Sequence, residues 1–384
     1  MKNYQETGSI ELVFSGSNYF AVLEELIANA RVSVEFHTYI FENDATGKRI
    51  VSALKNAGRR GVRVFVLADA FGSNSFPSGA VKELQDAGIH FRFFSPLFSG
   101  EGISFGRRLH HKIVVADGNK ALVGGINIAD KYNALQQQIP WLDYAVLLEG
   151  KICGQQDVLC KRLYARKTGL LLRRKEPRRI SEARNSQVRF RRNDWLLGIN
   201  EIHQSYFEAI IGAEKSITLV ASYFLPGRAL RKLLCDAASR GVEIKIILAG
   251  KSDVPVIYQA EKYLYNFYLN NRIQIFHWNE SVLHGKAMTV DGQWATIGSY
   301  NLNYLSHYLS IELNVDIKDK AFAGVFDSHL RQIIEKCMPV RAEDLRKQES
   351  FLGKMKMRLG YVTYKLLMNV MLSKRKNKFE RNRK

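Results

Sequence analysis

Three shortages in this chain each exclude something. Only four cysteines occur in 384 residues, Cys153, Cys160, Cys235 and Cys337, and no two form a CxxC pair. That scatter argues against a disulfide framework or a thiolate zinc site and fits small apolar residues buried in a reducing compartment. No uncharged apolar run approaches the ~18–20 residues that a spanning helix requires. The start, Met1-Lys2-Asn3-Tyr4-Gln5-Glu6, lacks the basic-then-apolar order of a secretion signal, so a soluble or peripheral protein is expected. Acidic residues are the third shortage: 37 Asp+Glu stand against 57 Lys+Arg, leaving a formal charge of +20. A field of that sign favours polyanions, either nucleic acid or an anionic membrane face, and is silent about fold.

What the chain does contain is a duplication. A helical stretch from Tyr19 to Ala30 leads into the strand-like run Val32 to Tyr39, and Ile202 to Ala213 leads into Ser216 to Tyr223. Two later helices end in Arg60-Gly61-Val62 and Arg240-Gly241-Val242, where glycine suits the left-handed turn that stops a helix. The β-branched runs that follow, Val62–Leu67 and Val242–Leu248, read as buried strands. Alternating strands and helices predict an α/β fold of two tandem α/β/α sandwich repeats forming one pseudo-symmetric unit. The expected divisions are residues 1–160 and 194–340 for the repeats, 161–193 for a basic linker and 341–384 for a tail.

The reactive residues follow the duplication. His110-His111-Lys112, Asp117 and Gly124-Gly125-Ile126-Asn127 recur as His284-Gly285-Lys286, Asp291 and Gly298-Ser299-Tyr300-Asn301, at identical offsets. Asp117-Gly118 and Asp291-Gly292 each end a strand pattern, a strong hairpin signal. His and Lys two residues apart on a strand project from one face, so imidazole and ammonium converge on one phosphate. This spacing selects His110 and turns His111 to the opposite face. Two half-sites in one chain suit in-line displacement at phosphorus, one imidazole attacking and the other protonating the departing oxygen. Imidazole titrates near ~6.5, so a neutral and a protonated ring coexist near neutral pH with modest tuning. No cofactor or metal is expected, because two lysines and a protonated histidine supply the positive charge and no zinc-spaced ligands are present.

A duplicated His-x-Lys-x4-Asp followed by Gly-Gly/Ser-x-Asn resembles the signature of the phospholipase D superfamily, and the likeness runs from about Asn18 to Glu335. Within it, Val123-Gly124-Gly125-Ile126-Asn127 and Ala221-Ser222-Tyr223-Phe224-Leu225-Pro226 are similar to bacterial cardiolipin synthases of the short type without amino-terminal spanning helices. The resemblance implies a phosphatidyltransferase that joins two phosphatidylglycerols through a phosphohistidine and releases glycerol. A lipid hydrolase and a metal-independent nucleic-acid phosphodiesterase are the alternatives left open. It implies a catalytic set of His110, Lys112, Asp117, His284, Lys286 and Asp291, although the motif aspartates are generally structural in that family. His110 is implied as nucleophile and His284 as acid and then base, an order the sequence itself leaves open. Lys112, Lys286, Asn127 and Asn301 are implied to hold the non-bridging oxygens. Each histidine is implied to be oriented by a carboxylate further along its half, Asp143 in the first and Glu312 in the second.

Two regions lie outside the motifs. From Lys161 to Arg192 arginines crowd together, read either as a solvated linker or as a basic rim that gathers anionic substrate. From Phe351 to Leu372 apolar residues alternate with Lys354, Lys356, Arg358 and Lys365 before the basic run Lys374-Arg375-Lys376. That is the pattern of an amphipathic helix lying in a membrane interface, its rival being a helix docked on the core. The loop Phe94 to Gly100 is a further place for phenylalanines to dip into a bilayer. The expected partners are an anionic phospholipid membrane and its lipids, with the protein peripheral on the cytoplasmic face of the inner membrane. Nucleic acid is the rival partner, since basic residues among aromatics also grip single strands.

Overall fold

Two sheets of matching strand order form the computed structural model, which describes residues 3–381 except 97, 100–101, 104–106, 136–137, 166–185, 252–253, 344 and 346–350. The first sheet runs Ser9–Phe14, Tyr144–Glu149, Lys120–Gly124, Lys112–Ala116, Ser33–Thr38, Arg63–Asp69, His90–Phe94. The second runs Gln187–Asp194, Ser310–Lys318, Trp294–Gly298, Lys286–Val290, Ser216–Ala221, Glu243–Ala249, Ile273–Trp278, with short strands at its margins. In each, three strands on one side are parallel and the remainder antiparallel. The motif strands Lys112–Ala116 and Lys286–Val290 turn back through Asp117-Gly118 and Asp291-Gly292, all four with positive φ.

Helices cover both faces of the central strands, which explains why those strands read as continuous apolar runs rather than alternating ones. On the outer face of the first sheet Val34, Phe36, Val64 and Val66 pack against Phe20, Leu23, Ile50 and Leu54. The inner faces meet in one core, where Ile113, Val115, Val123 and Val146 pack with Ala287, Ile297, Leu313 and Val315. The helices Cys153–Tyr164 and Lys320–Glu335 contribute to this shared core. The repeats are therefore fused along their apolar interiors.

The chain also crosses between them. Gln5–Glu6 pairs with the second sheet, at Val188 and Gln187. Arg108–Leu109, just before the first motif, lies parallel to Ser310 and Ile311 of the second repeat. Leu142 bridges to Leu283, just before the second motif.

Two expectations change here. Arg189, Arg191 and Arg192 do not belong to a linker but lie in the strand Gln187–Asp194, paired along Ile311–Lys318. Val188 and Phe190 alternate with the arginines and face the core, while Arg189 meets Asp316 at 2.9 Å and Glu208 at 2.7 Å. A period-2 strand was concealed inside a charge run. Of the other arginines in that stretch, Arg162 lies in the helix Cys153–Tyr164, and those from Arg166 to Arg184 lie outside the described residues. The tail forms a helix, Phe351–Arg381, whose Met357, Tyr364 and Met368 are buried against the helix Pro255–Asn270 and its surroundings. Its apolar residues occupy two opposite faces, one docked on the core as the rival reading has it and one exposed. Among the described residues no helix is long and apolar enough to cross a membrane. All four cysteines are free. The side chains of residues 97–100, in the aromatic loop, lie outside the described ones.

Candidate active site

Each motif histidine stands two residues before its strand, anchored by its backbone to the opposite repeat. The N–H groups of His110 and His111 both donate to Ile311 O at 3.0 Å, and His284 N–H donates to Leu142 O at 2.8 Å. Ile311 and Leu142 directly precede Glu312 and Asp143. Strand registers make those two carboxylates equivalent, since Gly124 faces Ala145 and Gly298 faces Asn314. The consequence is an exchange. His110 Nδ1 lies 2.9 Å from Glu312 Oε2, and His284 Nδ1 lies 2.6 Å from Asp143 Oδ2. Pairing within each half, the expectation from chain order, is overturned because the motif segments cross to the other repeat's strand. With Nδ1–H turned toward a carboxylate, Nε2 carries the reactive lone pair on both rings.

The motif lysines reach back rather than standing beside their histidines on a strand. Lys112 Nζ donates to His110 O at 2.5 Å, and Lys286 Nζ donates to His284 O. Lys286 Nζ also lies 2.9 Å from His284 Nδ1 and 4.0 Å from Asp143 Oδ2. Burial drives the charge states. It lowers the His110 pKa, Glu312 opposes this, and Lys112 and Lys286 add to the lowering. His284 falls well below the usual imidazole value through burial, with Lys286, Lys112 and His110 contributing. Burial brings Lys112 down to about 7 against the pull of Glu312. Burial raises Asp143 to about 7, opposed by Lys286, the Tyr144 N–H and Lys112. Cations from both motifs thus feel one another in one buried cluster. A phosphodiester anion would supply the negative charge this cluster lacks and shift its bases toward the protonated form.

Several neighbours escaped the sequence reading. The Tyr39 ring stands edge-on to His110 at 4.8 Å between centroids, with Lys112 Nζ 5.2 Å from its centre. Tyr132 and Trp141 lie 5.2 and 6.0 Å from the His284 ring. Asp69 accepts from Leu109 N–H at 2.7 Å and meets Arg108 at 3.4 Å, holding the segment that carries His110. An acid closing the otherwise apolar run Val64 to Ala68 was the available signal for Asp69. The tyrosines had none, being indistinguishable from core aromatics.

Asn127 accepts from Ile40 N–H at 3.1 Å and donates to Tyr132 Oη at 2.9 Å, while Asn301 accepts from Ser222 Oγ at 2.9 Å. The glycine before them has a steric reason in the first repeat. A Cβ on Gly125 would sit 2.4 Å from Asp143 Oδ1, and Ser299 at the matching place donates its hydroxyl to Glu312.

Asp117 and Asp291, counted with the catalytic set, are elsewhere. Asp117 accepts from the N–H groups of Arg31, Val32 and Ser33 at 3.0, 2.7 and 2.9 Å. Asp291 accepts from Glu214, Lys215 and Ser216 at 2.9, 2.8 and 2.8 Å. Each lies at the far end of a motif strand, ~16 Å from the lysine at ~3.3 Å per residue. They clamp a hairpin to a neighbouring strand. Burial works against the Asp117 charge, yet its backbone donors hold the carboxyl below its ordinary value. His111 turns into the core, where its Nε2 lies 3.1 Å from His37 Nδ1. Its counterpart is Gly285, where a Cβ would press on the Tyr144 ring at 3.0 Å. Among the described residues no three His, Cys, Asp or Glu side chains converge as metal ligands.

Comparison with known proteins adds the following. The family described as "Cardiolipin synthase, PLD-like domain" matches residues 23–145 and again 206–334. Cardiolipin synthase B of Shigella flexneri is 33% identical over 343 residues, covering 86% of this chain and 82% of that protein. Minor cardiolipin synthase ClsB of Bacillus subtilis (strain 168) is 26% identical over 346 residues, covering 90% and 86%. The crystal structure of phosphatidylserine synthase from Haemophilus influenzae Rd KW20 superposes with a TM-score of 0.75 over 95% of this chain and 96% of that one. At 18% identity this last likeness speaks for the fold alone.

Proposed function

Because this chain belongs to the cardiolipin synthase family of the phospholipase D superfamily, we propose that it joins two phosphatidylglycerol molecules into cardiolipin and glycerol through a phosphohistidine. The observation that carries this reading is the crossed pair His110–Glu312 and His284–Asp143, with the charges of Lys112 and Lys286 acting on both histidines. Two imidazoles anchored on opposite repeats, each with Nδ1 on a carboxylate and Nε2 left for the reaction, suit attack and departure on opposite sides of one phosphorus.

In the first step His110 Nε2 attacks the phosphorus of one phosphatidylglycerol. The P–O bond to glycerol breaks, and the leaving oxygen takes the proton of His284. In the second step the glycerol hydroxyl of another phosphatidylglycerol attacks the phosphohistidine. His284 removes the hydroxyl proton, the P–N bond breaks, and both histidines return to their starting states. Burial lowers both imidazoles, His284 the further, so both are neutral in the free site; the bound phosphodiester anion returns a proton to His284, which serves as the acid while neutral His110 attacks. Glu312 and Asp143 hold the two Nδ1–H groups and offset the positive charge of each imidazolium. Lys112, Lys286 and the amides of Asn127 and Asn301 bind the non-bridging oxygens, whose charge grows in the transition state. The protein works as a peripheral enzyme at the cytoplasmic face of the inner membrane, where its lipid substrate lies.

The test uses purified protein and phosphatidylglycerol labelled in its terminal glycerol. Cardiolipin and free glycerol should appear in equal amounts. Glycerol without cardiolipin identifies a hydrolase instead, and no turnover at any pH, combined with metal-free cleavage of DNA, moves the substrate to nucleic acid.

A further inference from the structure

The tail helix Phe351–Arg381 carries two apolar faces, and only one is accounted for. Tyr364 and Met368 are buried in the core of the second repeat, and Met357 is buried on the same side of the helix. Two positions before each of them stands a large apolar residue in solvent: Met355 is 54% exposed, Val362 43% and Leu366 58%, with Leu359 at 64% between. The spacing 355, 359, 362, 366 is one helical stripe. At ~100° per residue a two-residue offset places it about 200° round the helix, directly away from the docked side.

The chemistry flanking this stripe indicates what covers it. Lys354, Lys356, Arg358 and Lys365 are exposed, and no acidic residue occurs between Phe351 and Leu372. A water-facing helix side normally mixes charges of both signs, whereas an apolar ridge edged only by cations fits lipid tails beneath anionic headgroups. Lysine and arginine stems are long enough to lie along the ridge and return their charges to the headgroup plane. The docked face leads back to the site. Tyr364 Oη accepts from Tyr304 N–H at 3.2 Å, at the start of the short helix Tyr304–Tyr308, and Ser306 Oγ of that helix accepts from Asn301 N–H at 3.2 Å.

We propose that the outward stripe Met355–Leu359–Val362–Leu366, with its cationic edges, is the surface by which this protein beds into an anionic phospholipid bilayer, while the opposite face of the same helix braces the segment carrying Asn301. The inference deepens the phosphatidyltransferase reading by naming the surface that brings the site to its lipid.

Flotation of the full chain with vesicles tests it, using phosphatidylcholine alone and phosphatidylcholine mixed with phosphatidylglycerol. The wild-type chain should float with the mixed vesicles. The double variant Leu359→Ser/Leu366→Ser should bind on the order of thirtyfold more weakly, the loss expected from two partly exposed leucines. Lys356→Glu/Arg358→Glu should weaken binding about fivefold or more for each charge, and only on the anionic vesicles. Val325→Ser, on the helix Lys320–Glu335 and 64% exposed, should bind like wild type. An unchanged Tm in each variant separates lost binding from lost fold. Undiminished flotation of the leucine variant overturns the proposal. So does conversion of a dimer to a monomer by that variant with vesicle binding intact, which would make the stripe a contact between copies. A chain that floats but makes no cardiolipin refutes the proposed reaction and leaves this surface standing; a chain that makes cardiolipin in detergent but never floats does the reverse.

Discussion

Replacing Glu312 by glutamine tests the crossed site most directly. The carboxylate is fully buried, accepts from His110 Nδ1–H at 2.9 Å, and takes the Ser299 hydroxyl on the same oxygen. Two unit charges at about 4 Å attract by roughly 4 kcal/mol at an effective dielectric near 20. The amide retains a hydrogen bond, so we take about 3 kcal/mol as lost when His110 must carry positive charge, roughly two decades in kcat. KM should change little, because Glu312 touches the histidine and not the lipid. The sign of the titration follows from the charges: Glu312 raises the His110 pKa against burial, so the variant should lower it further. If neutral His110 sets the acid limb of the pH–rate profile, that limb moves to lower pH as the plateau falls. Histidine-resolved NMR titration supplies the decisive comparison. Glu312→Gln should shift His110 and leave His284 in place, and Asp143→Asn should do the reverse. A Glu312→Gln variant that moves His284 instead, or keeps full kcat, would refute the crossed-pair reasoning.

Other expectations follow from the same geometry. Lys112 is pressed down to about 7, and only its charged form attracts phosphate, so kcat/KM should fall as pH climbs through about 7; Lys112→Met should flatten that limb. The same depression means the unfolded chain binds more protons between about 7 and the usual lysine range, so Lys112 contributes stability that grows with pH there, as urea titrations at several pH values would detect. Asp117→Ala should cost about 1–2 kcal/mol in urea unfolding, because the exposed N–H groups of Arg31 and Val32 turn to water and only the N–H of the buried Ser33 loses its partner, with kcat retained at temperatures where the variant is folded. A large loss of kcat in the folded variant would return Asp117 to the chemistry. Gly125→Ala places a Cβ 2.4 Å from Asp143 Oδ1, so the buried carboxylate must leave His284, and kcat should drop by about two decades together with a lowered Tm.

The duplication was fully legible in the chain. Apolar periodicity, the Asp-Gly turns and the repeated His-x-Lys spacing are local properties, and local sterics and burial read them out without help from distant contacts. The strand around Arg189 and Arg191 was hidden because charge count outweighed the Val188–Phe190 alternation, and Asp316, 125 residues or more downstream, neutralises those arginines only in the folded state. The tail was half legible: its apolar spacing indicated a helix, but which apolar residues face inward depends on the helix Pro255–Asn270, with which it shares no sequence relation.

The candidate site divides along the same line. Which residue types react, and that they come twice, follows from spacing along a strand. Which carboxylate serves which histidine does not, because hydrogen bonds from His110 to Ile311 and from His284 to Leu142 span the two repeats. Chain order carries only neighbours a few residues away, whereas a shared core between two sheets decides partners that lie 202 and 141 positions apart.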